Sequence, residues 1–220
     1  MPQLTPEFLV LGFVYYVVFL FSTTCHEAAH ALAAKMGGDN TAALGGQVSL
    51  NPLPHIRRSP YGMVVFPLLS FFLMNGGMIG FASAPYDPHW ARRHPHRSAL
   101  MALAGPTTNF SLMLLGAIGL HASAAFHLVR LSPNGHPDIG TQFLFALFSL
   151  NLLLGVFNLI PVPPLDGSSV IMLLMSEDRA RRYIDWMSSG TFAMPGILVS
   201  ILIFRYIFPP IESFVQGLLL

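Results

Sequence analysis

The chain carries two histidines and a glutamate with the spacing of a zinc site, in the segment His26-Glu27-Ala28-Ala29-His30. In a helix, residues i and i+4 lie on one face, so the imidazoles of His26 and His30 can reach the same Zn²⁺ ion. Glu27 would lie beside that ion, where its carboxylate can take a proton from water. The spacing therefore predicts hydrolytic chemistry at a zinc centre.

This motif lies in an apolar part of the chain. Between Phe8 and Phe21, directly before the motif, the sequence contains no charged residue. Ionisable side chains are costly at membrane depth, and those that occur there are functional candidates. The apolar context makes the motif more specific and predicts hydrolysis inside the lipid bilayer.

The composition is that of a membrane protein. Of the 220 residues, 53% are hydrophobic and 10% are charged, and the mean hydropathy is +0.60. Ordinary soluble domains carry about 25% charged residues. We therefore expect a single transmembrane domain over residues 1–220, with no appended soluble domain. The basic residues lie in short loops and form no continuous stripe, so we expect the lipid bilayer as a partner and no nucleic acid.

The single cysteine of the chain, Cys25, excludes an intrachain disulfide. Because Cys25 directly precedes the zinc motif, its thiolate could be a metal ligand. The alternative is a small apolar residue of a packed helix. Free cysteines usually pack as small hydrophobes, which favours the second interpretation.

Four apolar runs have the length of about 20 residues that a membrane-spanning helix needs. They are Phe8–Met36, Ser98–Val129, Ile139–Ile160 and Gly190–Phe208. The tail that follows the last run, Ile211–Leu220, is too short to span a bilayer. We expect the tail to lie at the interface or to pack on the last helix.

Two further segments complete the predicted fold. The apolar run Tyr61–Ala84 is interrupted by Pro67 and by Asn75-Gly76-Gly77, and Gly46–Leu50 alternates in polarity as a short strand does. We predict an all-α polytopic membrane protein with about four transmembrane helices, a re-entrant hairpin and a short membrane-associated β segment. Its core covers residues 8–175, and its C-terminal helix covers residues 190–208.

Asp166 is the candidate for a third metal ligand. A catalytic zinc ion usually has three protein ligands and one open position. Asp166 lies just past the end of an apolar run, after a cluster of helix-breaking prolines. Irregular backbone at membrane depth is tolerated where it lines protein or a water-filled cavity. Asp166-Gly167 could also be an ordinary turn, but the HExxH motif favours one Zn²⁺ per chain, bound by His26, His30 and Asp166.

This ligand set restricts the topology. For His30 and Asp166 to share an ion, the helix ends that carry them must lie on the same side of the membrane. The two runs that precede Asp166 are joined by a short turn, so the first of them begins on that side as well. Tyr61–Ala84 therefore cannot cross once, and we expect it to re-enter with Asn75-Gly76-Gly77 at its tip.

The loop charges agree with this topology, which puts every loop Lys and Arg except Arg130 on the side of the metal centre. They are Lys35, Arg57, Arg58, Arg92, Arg93, Arg97, Arg179, Arg181 and Arg182. Cytoplasmic loops of membrane proteins carry an excess of these residues. We therefore expect a centre that opens toward the cytosol and an N-terminus outside.

With these residues in place, the chain resembles the site-2 protease family of intramembrane zinc metalloproteases, from about Phe8 to Met175. The resemblance is carried by four segments in order. They are His26–His30, Gly46–His55, Ala104-Gly105-Pro106-Thr107-Thr108-Asn109-Phe110 and Asn158–Gly167. The second segment is similar to the compact bacterial branch without PDZ or CBS domains, which implies the cytoplasmic membrane of a bacterium.

The resemblance implies a protease that cleaves a peptide bond within or next to a transmembrane segment of a membrane-protein substrate. His26, His30 and Asp166 would bind Zn²⁺, and Glu27 would be the general base. Four other residues would bind the substrate or shape the site: Asn51, His55, Asn109 and Asn158. The Gly46–Leu50 strand could pair with an unwound substrate through its edge.

Two other classes of function use the same ligands. A metal transporter would bind zinc transiently, but it should show repeated halves and a polar path, and neither is evident in the sequence. A catalytically silent membrane scaffold would retain the zinc-binding fold. Because structural zinc binding does not require Glu27, the intact glutamate favours the protease.

Overall fold

The computed structural model describes residues 4–129, 135, 137–188 and 193–220. Within them, four helices are long and apolar enough to cross a membrane. They are α1 (Pro6–Gly37), α6 (Pro95–Ala125), α7 (Ile139–Asn158) and α10 (Ala193–Leu219). The prediction of a multi-pass helical protein is confirmed by this arrangement.

Short helices connect the long ones. They are α2 (Thr41–Leu44), α3 (Pro52–Arg58), α4 (Phe66–Leu73), α5 (Pro88–Arg93), α8 (Asp166–Val170) and α9 (Glu177–Met187). A π-helical turn, Tyr61–Val65, leads into α4, and a 3₁₀ turn, Ile171–Leu174, follows α8.

Helix α1 has clear start and stop signals. The Thr5 side chain accepts a hydrogen bond from the backbone N–H of Phe8 at 3.2 Å, and Pro6 occupies the first turn. A proline costs little at that position, because the first N–H groups of a helix have no intrahelical partner. Helix α1 ends at Gly37, and the capping residue Gly38 has a φ of 101°, a left-handed conformation that favours glycine.

Helices α1, α6 and α7 form the core that positions the site. The helices α6 and α7 approach closely at Gly116, where a β-carbon would lie 2.7 Å from the backbone nitrogen of Phe148. Small residues permit such close packing between membrane helices. The cluster of apolar side chains between α1 and α7 includes Val14, Phe19 and Leu150.

The chain folds back on itself after α4. Asn75 and Gly76 have positive φ values of 52° and 101°, which turn the backbone at the break in the apolar run. On the return, the N–H of Phe81 donates to the carbonyl of Gly62 at 3.0 Å. This hairpin packs along α1, where the rings of Phe8 and Phe71 stack with centroids 4.6 Å apart. A re-entrant segment requires this geometry.

The predicted strand at Gly46–Leu50 is wrong, and the described residues contain no extended strand. Gly46 has a left-handed φ of 74°, and the N–H of Gln47 bonds back to the carbonyl of Ala42 at 3.0 Å. The Ser49 hydroxyl accepts from the N–H of Asn51 at 3.0 Å. Such local hydrogen bonds compete with pairing in a sheet, so the alternating polarity does not produce a strand here.

The C-terminal helix is longer than predicted. Residues 190–192 lie outside the described part, and α10 continues through Pro209 and Pro210 to Leu219. The predicted boundary at 208 is therefore wrong. The residues around and after the prolines pack on α6 and α7, which stabilises the helix beyond them: Phe208, Ile211, Val215 and Leu219.

The hairpin yields a test with a matched pair of glycines. In Gly62→Ala, the new β-carbon would overlap the carbonyl oxygen of Phe81, whereas at Gly217 no atom lies within 4 Å. We expect Gly62→Ala to lower the stability of the purified protein by about 1–3 kcal/mol, because overpacking forces backbone shifts. Gly217→Ala should be neutral or stabilising, since alanine favours helix. Equal midpoints of the two variants in thermal unfolding would contradict the hairpin packing.

Candidate metal centre

His26, His30 and Asp166 meet inside the helix bundle. The two histidines lie one turn apart on α1, both are buried, and their Nε2 atoms are 2.9 Å apart. Asp166 begins α8, and its Oδ2 lies 3.1 Å from Nε2 of His26 and 3.3 Å from Nε2 of His30. The structure thus brings together three ligand atoms from positions that are distant in sequence.

The spacing of these three atoms fits a zinc ion. Ligands about 2.0–2.1 Å from zinc, at the corners of a tetrahedron, are about 3.3 Å apart. The observed separations of 2.9, 3.1 and 3.3 Å are close to that edge. Imidazole nitrogens and a carboxylate oxygen are also ligands that zinc accepts. The three residues therefore form a donor set whose atom types and spacing fit one zinc ion.

Hydrogen bonds on the far side of each imidazole orient its Nε2 atom. Nδ1 of His30 lies 2.7 Å from the carbonyl oxygen of Met101, and Nδ1 of His26 lies 2.6 Å from Oδ1 of Asn109. Since a carbonyl oxygen only accepts, Nδ1 of His30 carries the proton and its Nε2 keeps a lone pair. Metal-binding histidines usually have such a partner.

Gly105 on α6 leaves room for both histidine rings. A β-carbon at this position would lie 2.5 Å from Nε2 of His26 and 2.5 Å from Nε2 of His30. The ligand atoms therefore face a backbone surface without a side chain. This close approach is a physical reason for glycine in the Gly105-Pro106 pair.

Glu27 is buried beside these ligands, with 5% of its surface exposed. Among the described residues, its Oε2 has no hydrogen-bond partner. A buried carboxylate oxygen that is not engaged by the protein is available to a water molecule or a substrate. Its position in the sequence between the two histidine ligands suits a general base.

The Asp166 loop is held from two sides. Gly167 packs on the carbonyl groups of Leu159 and Ile160, and a β-carbon there would lie 2.6 Å from the oxygen of Ile160. Gly196 of α10 packs so closely on the carbonyl of Pro163 that a β-carbon would overlap it. The end of α7 and the start of α10 therefore fix the backbone that carries the third ligand.

Asp39 connects the end of α1 to the start of α5. Its buried carboxylate accepts the backbone N–H groups of Thr41 at 2.9 Å and of Asp87 at 2.8 Å. Burial raises the pKa of this carboxyl, but the hydrogen bonds from Thr41 and Asp87 lower it more, so the pKa lies below the usual value. The ionised Asp39 thus helps to hold α1 against the segment that leads into α6.

Of the other predicted site residues, Asn109 alone contacts a histidine ligand among the described hydrogen bonds. Asn51 caps α3 by accepting from the N–H of Leu53 at 3.0 Å. His55 is buried, with Nε2 3.0 Å from the carbonyl of Ser49. Asn158 donates to the carbonyl of Leu154 in its own helix at 3.0 Å. Roles of these last three in substrate binding stay predictions.

Sequence reasoning missed Asn151, which is fully buried and hydrogen-bonded to Asn109. A signal was present, because an amide in the middle of an apolar membrane run is costly without a partner. Cys25 packs in the apolar cluster between α1 and α7 and does not join the group of metal-ligand candidates in the described chain. The apolar interpretation of Cys25 is the one that the packing supports.

The fold and the site define a multi-pass membrane protein in which two buried histidines and a partly buried aspartate form a group that could hold a metal ion. The sequence model of Peptidase family M50 matches residues 136–201. The Bacillus subtilis protein "Putative zinc metalloprotease YwhC" is 32% identical over 165 residues, which are 70% of this chain and 66% of that protein. "Putative zinc metalloprotease Rip2" of Mycobacterium tuberculosis is 34% identical over 154 residues, which are 70% of this chain and 54% of that protein.

A third relative, "Zinc metalloprotease MJ0392" of Methanocaldococcus jannaschii, is 35% identical over a shorter stretch of 77 residues, covering 35% of this chain and 20% of that protein. No solved structure gives a significant match. The chain spans 66% and 54% of the lengths of the first two relatives. The chain belongs to peptidase family M50.

Gly105 provides a test of the metal centre itself. In Gly105→Ala, the new β-carbon would displace the ligand nitrogens of both histidines, so we expect zinc affinity to fall at least about tenfold. Gly119→Ala on the same helix is the matched control, because its β-carbon would meet only the flexible end of the Leu144 side chain. Competition for zinc with a chelator measures both variants. Unchanged affinity in Gly105→Ala would contradict a metal site at these nitrogens.

Proposed function

We propose that the protein is an intramembrane zinc metalloprotease. It hydrolyses a peptide bond within or next to a transmembrane segment of a membrane-protein substrate, and it uses one zinc ion per chain. The observation that carries the proposal is the buried group of His26, His30 and Asp166 with Glu27 beside it, in a bundle of apolar helices. The names of two relatives, "Putative zinc metalloprotease YwhC" and "Zinc metalloprotease MJ0392", support it.

The residues of the chain have distinct roles in the proposed reaction. Bound zinc would polarise the substrate carbonyl and acidify water at the centre. Glu27 takes a proton from the attacking water on its carboxylate and later gives it to the nitrogen of the leaving amine. His26 and His30 are held in place by Asn109 and Met101. The surrounding apolar helices limit water, which strengthens the electrostatic interactions inside the site.

The substrate enters this proposal as a transmembrane helix. The site is built on helices that could span a bilayer, so a peptide bond at the same depth can reach it. A helical peptide bond is shielded by its own backbone hydrogen bonds, and the substrate must therefore unwind locally. The Gly46–Leu50 segment forms turns and does not offer the strand edge that the sequence predicted.

We further propose that the centre opens toward the cytosol of a bacterial cell. The carbonyl of Gly37 at the end of α1 accepts from the Trp90 indole at 3.0 Å and from Arg97 at 3.1 Å. The end of α1 and the start of α6 thus lie together, near several of the loop arginines. Arg130, the one loop arginine expected on the opposite side, lies outside the described residues. In this topology the hairpin after Tyr61 is re-entrant.

The protease and its alternatives differ in what they require of Glu27. A transporter or a silent scaffold needs His26, His30 and Asp166 but no general base. Glu27 is buried, and its Oε2 has no partner among the described residues. Because burying an unpaired carboxylate is costly, its presence beside the ligands favours hydrolysis.

Glu27→Gln separates these functions. We expect the purified variant to retain zinc and to cleave a helical transmembrane substrate at least about 100-fold more slowly, because the amide cannot take a proton. Glu7→Gln, at the first turn of α1, is the matched control and should cleave at the wild-type rate. Equal cleavage by wild type and Glu27→Gln would rule out the proposed base. Absence of cleavage by the wild type, with zinc bound, would favour the scaffold or the transporter.

Cysteine accessibility in cells tests the orientation. In a Cys25→Ala background, the new cysteine of Arg93→Cys should react with a membrane-impermeant thiol reagent only after the cytoplasmic membrane is permeabilised. Gly135→Cys should react in intact cells, because it lies in the turn between α6 and α7. The reverse labelling pattern would contradict the proposed topology.

A further inference from the structure

Asn151 lies at the centre of a buried chain of hydrogen bonds that ends at a metal ligand. Nδ2 of Asn109 donates to Oδ1 of Asn151 at 2.9 Å, and Oδ1 of Asn109 lies 2.6 Å from Nδ1 of His26. Nδ2 of Asn151 donates to the hydroxyl of Ser22 and to the carbonyl of Leu147, each at 2.8 Å. Asn109 and Asn151 are completely buried. The chain therefore joins α1, α6 and α7.

The carbonyl of Leu147 determines the direction of this chain. A carbonyl oxygen only accepts, so the atom of Asn151 that faces it must be the amide nitrogen. Oδ1 of Asn151 then faces Asn109 and takes a hydrogen bond from its Nδ2. The amide of Asn109 is thereby oriented with Oδ1 toward His26. Since Oδ1 also only accepts, Nδ1 of His26 must carry the proton.

This direction leaves the other ring nitrogen of His26 with its lone pair. Nε2 is the atom that faces Nε2 of His30 and Oδ2 of Asp166. A flipped Asn109 amide would present N–H groups to Nδ1 and favour the tautomer with the proton on Nε2, which cannot bind a metal. The backbone carbonyl of Leu147 on α7 thus determines which ring nitrogen of His26, on α1, carries the proton.

We propose that Asn151 is a positioning residue for the zinc centre, which acts through Asn109 to hold His26 in its metal-binding tautomer and orientation. The inference rests on the proposed zinc site. Asn151 is not proposed to contact zinc or substrate. Its effect on His26 passes through Asn109.

The surroundings of Asn151 make this role effective. The neighbouring buried side chains on α7 are apolar, among them Leu147, Leu150 and Leu152. Hydrogen bonds are electrostatically stronger in a medium of low dielectric, and an amide left without a partner there is costly. The amide of Asn109 is therefore held in the orientation in which Nδ2 donates to Asn151 and Oδ1 accepts from His26.

A double-mutant cycle tests the proposal through zinc affinity. Asn151→Leu removes the acceptor for Asn109, and we expect zinc affinity to fall about 3- to 10-fold, a smaller loss than the 10- to 100-fold typical of direct outer-shell partners. In the Asn109→Ala background, Asn151→Leu should change affinity by less than about twofold, because the residue through which it acts is gone. Ser22→Ala, which leaves the Leu147 carbonyl in place, should cost less than Asn151→Leu.

Leu152→Ala is the control for a purely structural effect. Leu152 is buried next to Asn151 in sequence but packs in the cluster with Met113, Ala117 and Phe148. This variant should lower thermal stability and leave zinc affinity unchanged. The visible absorption spectrum of the Co²⁺-substituted protein should change in Asn151→Leu and not in Leu152→Ala, since the spectrum reports ligand geometry.

Two results would overturn the proposal. One is wild-type zinc affinity in Asn151→Leu. The other is an equal loss from Asn151→Leu with and without Asn109, which would show that Asn151 does not act through it. Failure of the wild-type protein to bind zinc would instead overturn the proposed metal site, and the two failures are therefore distinguishable.

Discussion

The burial of ionisable groups in an apolar helix bundle is the constraint on which the rest of the structure depends. Asp166 and Glu27 each carry a negative charge when ionised, and the imidazoles of His26 and His30 are neutral in the ligand form. An isolated charge in such a medium costs many kcal/mol, so it must be neutralised or paired. A divalent cation among these four side chains balances the two carboxylates. The charge arrangement and the ligand spacing thus favour the same occupant.

The backbone around the centre is shaped by this requirement. Three groups must come within about 3 Å of one another from α1 and from the loop after α7. Glycine occurs where the approach is closest: Gly105 faces the histidine nitrogens, Gly167 packs on the end of α7, and Gly196 packs on the proline loop. The polar partners of the histidines come from α6. A site built on packed helices holds its ligands more precisely than one built on loops.

Residue type and spacing were sufficient to predict that His26, His30 and Asp166 come together and that the chain folds back after α4. The two histidines are ionisable residues within an apolar run, and Asp166 closely follows another apolar run. Glycine also marks the break after α4, because its freedom to adopt a positive φ is a local property. The return of Phe81 to Gly62 follows from the break at Asn75 and Gly76.

The errors of the sequence interpretation have two physical origins, which are local hydrogen bonds and tertiary contacts. The strand at Gly46–Leu50 fails because Gly46 turns the backbone and Ser49 bonds to the following N–H group. The C-terminal helix passes Pro209 because the residues after it pack on α6 and α7. The role of Asn151 depends on which amide it meets across the bundle, and no local pattern records that partner.

X-ray absorption at the zinc edge of the purified, zinc-loaded protein tests the central claim most directly. The account predicts two imidazole nitrogens and oxygen ligands at about 2.0–2.2 Å, and no sulfur, with the histidine signal lost on replacing His26 and His30 by alanine. A sulfur ligand at about 2.3 Å would place Cys25 in the coordination sphere and contradict the packing described here. A spectrum without imidazole scattering would contradict the site itself.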